Sequence, residues 1–130
     1  MRLLGTHEGY SNLIESFEDT ENGSVIVHKF IRGTKLSKIL EKYDEQMVPK
    51  TVLLDLLEKM LKRLAYLHET LYMVHRDPHF NQWFIQDDDS IILTDFTTAA
   101  VLGEDGVIPA GTEASFTPIC QSPEQVRYRT

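Results

Sequence analysis

The sequence predicts an α+β fold, and three observations predict it. An Asn-Gly turn separates two apolar runs, a triple aspartate separates two more, and between these pairs lies a long stripe of leucines at helical spacing. Taken in order, Leu13-Ile14-Glu15-Ser16-Phe17 and Val25 to Ile31 flank Glu18 to Gly23. The Asn22-Gly23 pair suits the positive φ of a tight turn, so these runs form a hairpin. After Gly33, Leu36, Ile39, Leu40 and Tyr43 recur at helical spacing, which predicts a short amphipathic helix over Lys35 to Tyr43. A longer helix starts at Pro49, a residue suited to the first helical position because its missing N–H has no partner there. Val52, Leu53, Leu56, Leu57, Met60, Leu61, Leu64 and Leu67 repeat at three- and four-residue intervals through Glu69, which predicts a core helix. Its charged residues, such as Glu58 and Lys62, fall on the other face.

Trp83-Phe84-Ile85 and Ile91-Ile92-Leu93 are rich in aromatic and β-branched residues and form a second hairpin. Its tip, Asp87-Asp88-Asp89, reads as a mobile, solvated turn in preference to a metal site. From Thr94 to Thr130 the chain carries Gly103, Gly106, Pro109, Gly111, Pro118 and Pro123 and little periodicity, so it reads as a long irregular loop. Loops of such length in small domains serve function or are disordered.

Composition bounds the function. The chain has 130 residues, with 13 Lys+Arg against 20 Asp+Glu and a net charge of −7. Its 42% hydrophobic and 25% charged residues are ordinary for one globular core. A pI near 5.1 lacks the basic footprint that a nucleic-acid backbone requires, so no nucleic-acid partner is expected. The apolar runs are cut by charge well short of the roughly 20 residues of a membrane span, and Met1 to Glu8 lacks the apolar stretch of a signal peptide, so no membrane partner is expected. The single cysteine, Cys120, cannot close an intramolecular disulfide and fits a reducing, cytoplasmic setting. A lone cysteine is most often a small buried apolar residue, and Cys120 is read that way, with a reactive thiol as the rival.

Three acidic residues stand apart from the surface charge: Asp77 in His75-Arg76-Asp77-Pro78, Asp95 in Leu93-Thr94-Asp95-Phe96, and Glu124 in Ser122-Pro123-Glu124-Gln125. Asp77 and Asp95 bracket the second hairpin, so both lie at its same end. Two readings stand. The pair divides proton-acceptor and Mg²⁺-ligand roles, or both are turn-forming aspartates.

The order of these motifs resembles the catalytic core of eukaryotic-type protein kinases. Tyr66-Leu67-His68 followed by His75-Arg76-Asp77 resembles the end of a C-lobe helix running into the catalytic loop. Thr94-Asp95-Phe96 resembles the metal motif, and Thr117-Pro118 through Ser122-Pro123-Glu124-Gln125 the end of the activation segment. The resemblance implies a partial protein-kinase-like fold: residues 1–31 as the end of a small lobe and hinge, and 32–130 as the start of a C-lobe through the activation segment. It implies ATP and Mg²⁺ as cofactors, with a protein substrate or a regulatory partner.

Residue by residue, the resemblance makes Asp77 the residue that accepts or orients the substrate hydroxyl proton, and Asp95 the Mg²⁺ ligand. Arg76 matches the arginine that answers a phosphate on the activation segment, for which Thr112, Ser115 and Thr117 are candidate modification sites. His75 and Phe96 match a packing pair, Glu124 an anchor for the segment, and the backbone near Lys29 and Ile31 the hinge that meets adenine. At the second metal position stands Gln82, with Asn81 before it, and a longer amide suits the strict octahedron of Mg²⁺ less well. His79 replaces a lysine and is only partly charged near neutral pH. Thr97 replaces a glycine, which restricts backbone flipping, and Phe116 and Cys120 replace a glycine and a tyrosine.

No Gly-rich phosphate loop, strand lysine or complete partner helix is found in the sequence, nor the family's later helices. Two functions follow as expectations: ATP-dependent phosphoryl transfer to protein Ser/Thr that needs further segments, or a catalytically weak pseudokinase acting as a binding module. A small-molecule phosphotransferase is a third, against which the Ser122 to Gln125 ending argues. Standing alone, the 130 residues are expected to expose apolar patches and self-associate.

Overall fold

A computed structural model describes residues 7–21, 23–43, 47–112 and 117–127, without the side chain of Glu124. The fold is mixed α/β, with small antiparallel sheets and few helices. Ser115 and Phe116 lie outside the described residues.

The first hairpin forms where the turn residues place it. β1 (Leu13–Asp19) pairs antiparallel with β2 (Gly23–His28), Phe17 opposite Val25 and Asp19 opposite Gly23. Gly23 has φ +73°, the left-handed value that glycine adopts without steric cost. The second strand stops at His28 and does not run to Ile31, although the Lys29 N–H still donates to the Asn12 carbonyl at 2.9 Å. Ile14 and Phe17 remain exposed on this hairpin.

β3 (Thr34–Lys35) was not foreseen, because two residues carry no periodicity. It leads directly into α1 (Leu36–Glu41). That helix is shorter than the Lys35 to Tyr43 span its spacing predicts. Lys35 is held in the strand, and the Lys42 and Tyr43 N–H groups close tighter turns onto Ile39 and Leu40. Gly33 has a packing reason: a Cβ there would lie 2.5 Å from the Ile85 carbonyl oxygen.

α2 (Lys50–Glu69) fills the predicted span, with Pro49 one step earlier than expected, at the N-cap. Only part of its apolar stripe is core. Leu56 and Leu67 are buried, and Val52, Met60 and Leu64 pack against the core. Leu53, Leu57 and Leu61 are exposed, as is Leu54. The row running 53, 57, 61 is left about half exposed, outside the stripe that packs on the core.

β4 (Met73–Val74) pairs with β7 (Ala100–Val101), while β5 (Trp83–Ile85) and β6 (Ile91–Leu93) make the second hairpin. β3 joins the open edge of β5, giving the order β3-β5-β6. On the other edge Leu93 is gripped from an early segment: its N–H donates to Gly9 and its carbonyl accepts from Ser11, both at 3.0 Å. Tyr10, between them, is 1% exposed and donates its hydroxyl to the Arg63 carbonyl of α2 at 2.6 Å. With Leu36, Leu67, Trp83, Leu93 and Phe96 it makes the core.

The acidic tip, expected to be mobile, is tied to α2: the Lys59 ammonium bonds both Asp89 and Asp55. Among the described residues no group of three or more His, Cys, Asp or Glu gathers to hold a metal, and no helix is long and apolar enough to cross a membrane. The last third is largely irregular, as expected, and ends in the short α3 (Pro123–Arg127). Cys120, read as buried, is exposed, because the single turn of 3-10 helix that carries it contributes no buried residue.

Candidate functional site

Two loops build the site. Antiparallel pairing of β4 with β7 sets the residues after Val74 beside those before Ala100. The β5–β6 hairpin brings the residues before Trp83 to those after Leu93, and the Thr94 N–H donates to the Gln82 carbonyl at 2.8 Å. Asp77 and Asp95 therefore stand on adjacent loops, as the bracketing of the hairpin predicts.

His75 joins these loops from inside. Its ring is buried, its Nε2 donates to the Thr94 carbonyl at 2.8 Å, and its Nδ1 accepts the Asp77 N–H at 3.3 Å. Both contacts are satisfied by one neutral tautomer. Burial pushes its pKa below the ordinary 6.5, partly opposed by the Thr94 carbonyl and by the charges of Asp95 and Asp77. Phe96 meets the ring edge-on at 4.9 Å. The packing pair named from sequence is thus in contact.

Arg76 and Asp95 both have positive φ, 70° and 61°, although neither is glycine. Such conformations persist only where surrounding bonds over-determine them. Here the Arg76 Nε donates to the Thr98 carbonyl, the Thr98 hydroxyl donates to the His75 carbonyl at 2.9 Å, and Gln125 Nε2 donates to the Arg76 carbonyl at 2.8 Å. The Trp83 indole N–H donates to the Pro78 carbonyl at 3.0 Å and fixes the far side of the loop.

The two carboxylates have different environments. Asp77 is 15% exposed and accepts the Thr117 N–H at 3.0 Å and the Thr117 hydroxyl at 2.8 Å, while His79 Nε2 stands 3.8 Å away. Asp95 accepts the Thr97 hydroxyl at 2.6 Å and the Gln82 amide at 2.9 Å. The Thr97 hydroxyl is the largest cause holding the Asp95 carboxyl below its ordinary 3.8, with the Thr97 N–H and Gln82 adding to it against partial burial.

Gln82 carries a conflict that bears on metal binding. The Asn81 N–H donates to His79 Nδ1 at 3.2 Å, so the proton of the neutral ring sits on Nε2. That N–H faces Gln82 Nε2 at 3.1 Å, donor against donor. Turning the amide over relieves this contact but sets its oxygen against the Asp95 carboxylate. An amide oxygen and a carboxylate are hard donors of the kind Mg²⁺ takes, so Asp95 and Gln82, in contact at 2.9 Å, are the residues that would hold a divalent cation.

A cleft of about 340 Å³ opens onto this carboxylate, lined among others by Ile31, Lys35, Asn81, Gln82, Phe84 and Asp95. Ser11 also lines it, and its buried hydroxyl has no partner. Ile31 is thereby brought to Asp95. Lys29 is not: it lines an adjoining cavity of about 310 Å³ with Tyr10 and Arg63, and Ile31 borders both. Thr112 lies on an exposed turn, its hydroxyl donating to the Pro109 carbonyl at 2.6 Å. Glu124 lies within α3. Sequence reasoning gave Thr117 only as a modification site and overlooked Lys35, Gln125 and the Trp83 indole as parts of the site. The contacts of Thr117, Lys35 and Gln125 are long-range, and the Trp83 indole reaches a backbone carbonyl that carries no residue signature.

No family model matches the chain. It is 26% identical over 129 residues to "Mitogen-activated protein kinase kinase 1c" of Physcomitrium patens, covering 96% of this chain and 36% of that protein. It is 27% identical over 96 residues to "Serine/threonine-protein kinase pakC" of Dictyostelium discoideum, covering 74% and 20%. It is 32% identical over 89 residues to "Mitogen-activated protein kinase kinase SIPKK" of Nicotiana tabacum, covering 68% and 24%. The chain is protein-kinase-like at the level of the superfamily. It spans at most 36% of the length of these relatives.

Proposed function

We propose that this chain carries the catalytic-loop and metal-motif part of an ATP-dependent phosphotransferase acting on protein Ser/Thr hydroxyls, completed by segments beyond these 130 residues. In this reading residues 1–31 end a small lobe and hinge, and 32–130 begin the C-lobe and run through the activation segment. A cytoplasmic location belongs to the same reading. The observation that carries it is the cleft that joins Ile31 and Phe84 to Asp95, with Asp77 on the neighbouring loop. The names of the relatives, two mitogen-activated protein kinase kinases and a serine/threonine-protein kinase, support it.

The residues act by position. Ile31 and Phe84 offer apolar surface to the nucleobase, and Asp95 with Gln82 holds Mg²⁺. Bound there, the ion supplies charge neutralisation for phosphate oxygens. Asp77 accepts the proton of the substrate hydroxyl, and His75 and the Trp83 indole hold its loop in place. Arg76 is the candidate partner for a phosphorylated segment residue.

A second reading, a regulatory module that binds nucleotide or a partner without turnover, is favoured by Thr117. Its two donors occupy both oxygens of the Asp77 carboxylate, the group that must accept a proton. Calorimetry with ATP, with and without Mg²⁺, separates these from no function at the cleft. The enzyme reading expects Mg²⁺-dependent binding lost in Asp95→Asn, and phosphate transfer by the full-length protein lost in Asp77→Asn. Binding without transfer selects the module. Absence of nucleotide binding overturns the enzyme reading and leaves the module only as a partner binder.

A further inference from the structure

Resting on the nucleotide reading of the cleft, we propose that Lys35 is a phosphate-binding residue of that cleft, selecting nucleoside triphosphates over nucleosides. The β3–β5 ladder sets Lys35 directly opposite Phe84, so the two side chains share a face. The Lys35 ammonium stands 5.8 Å from the centre of the Phe84 ring. Lys35 and Phe84 both line the cleft that contains Asp95. Among the described residues Lys35 is the only lysine or arginine to line it, and it forms no ion pair with a carboxylate there.

The charge balance of the cleft requires such a group. A triphosphate is strongly anionic, and the cleft otherwise presents the Asp95 carboxylate, the amides of Asn81 and Gln82, and the His28 imidazole, which is a cation only when protonated. Other basic side chains stand outside this lining: the Arg76 Nε bonds the Thr98 carbonyl, and Lys29 and Arg63 line the adjoining cavity. A lysine over an aromatic face is held only weakly by the ring, whereas a charge-assisted bond to a phosphate oxygen is short and strong. The ammonium therefore exchanges the ring for the phosphate when ligand arrives, its stem staying on Phe84. The Lys35 side chain makes no capping bond to α1, so its charge is not needed for the helix.

The test titrates the chain, Lys35→Met and Lys35→Arg with Mg²⁺-ATP and with adenosine. Methionine keeps an unbranched stem over Phe84 and removes the charge. The expected result is an ATP affinity weakened about five- to tenfold in Lys35→Met, with adenosine changed by less than about twofold and Lys35→Arg close to the original. Added salt weakens ATP binding more in the original chain than in Lys35→Met. Unchanged ATP affinity in Lys35→Met overturns the proposal, and so does an equal loss for adenosine, which assigns Lys35 to packing. If the original chain and both variants bind neither ligand, the nucleotide reading itself falls and this inference with it.

Discussion

Thr117 holds Asp77 by two bonds, from its backbone N–H at 3.0 Å and its hydroxyl at 2.8 Å. The contact joins the loop after β4 to a segment forty residues further along the chain. Nothing in the local sequence at either residue encodes it. Replacing the hydroxyl by a methyl keeps the shape and the N–H bond and deletes one donor to a largely buried carboxylate. Thr117→Val is expected to lower stability by about 1–2 kcal/mol, read as a shifted urea midpoint at constant slope. An unchanged midpoint refutes the bond's importance.

Asp95 is held ionised chiefly by Thr97. In Thr97→Val its carboxyl should return toward the ordinary 3.8, followed by NMR titration of the side-chain carboxyl carbon. The sign for stability follows from a lowered folded pKa. The contribution is full above 3.8 and is lost as pH falls through the lower folded value, so the variant should lose less stability over that acid range. An unmoved titration would show that Gln82 and the Thr97 N–H suffice.

His75 predicts a second pH effect at milder acidity. Its folded pKa lies below 6.5, so under 6.5 the unfolded chain takes up a proton that the buried ring refuses. Its contribution is complete above 6.5 and declines as pH falls toward the folded value. Urea midpoints at about pH 7.5 and about pH 5.5 should differ in the original chain and differ less in His75→Gln. A slope that survives the substitution would assign it to other histidines.

The fold was legible where one short window contains its own instruction. The first hairpin, the α2 stripe and the acidic turn before Ile91 each needed only neighbours, and the two strands, the helix and the second hairpin formed. Lys35 was placed in a helix because Leu36, Ile39 and Leu40 follow it at helical spacing; the partner that recruits it to a strand, Phe84, is far along the chain. The α2 stripe also exceeded what is buried, since a period says which residues share a face but not how wide a neighbour covers it. At the candidate site, the placement of Asp77 and Asp95 on adjacent loops and the contact of His75 with Phe96 were readable from the order of motifs. Thr117, Gln125 and the Trp83 indole act through backbone carbonyls or at long range, where residue type carries little information.

The uncovered row of α2 predicts association. Leu57 and Leu61 are each about half exposed, at 50% and 54%, so removing them from the surface leaves no cavity. Leu57→Lys with Leu61→Lys should reduce concentration-dependent sedimentation while changing stability by no more than about 0.5 kcal/mol. Monodisperse monomer behaviour of the original chain at high concentration would contradict it.

The grip of Gly9 and Ser11 on Leu93 has a consequence for how the chain is made. The strand that ends just before Asp95 is completed by a segment from the opposite end of the sequence. A ribosome releases residues 9–11 long before Leu93 exists, so that segment waits without its partner while α2 forms locally. The loop that carries Asp95 can take its place only late, when this distant closure occurs. Amides of Leu93 and Ser11 should therefore gain exchange protection together, after those of α2.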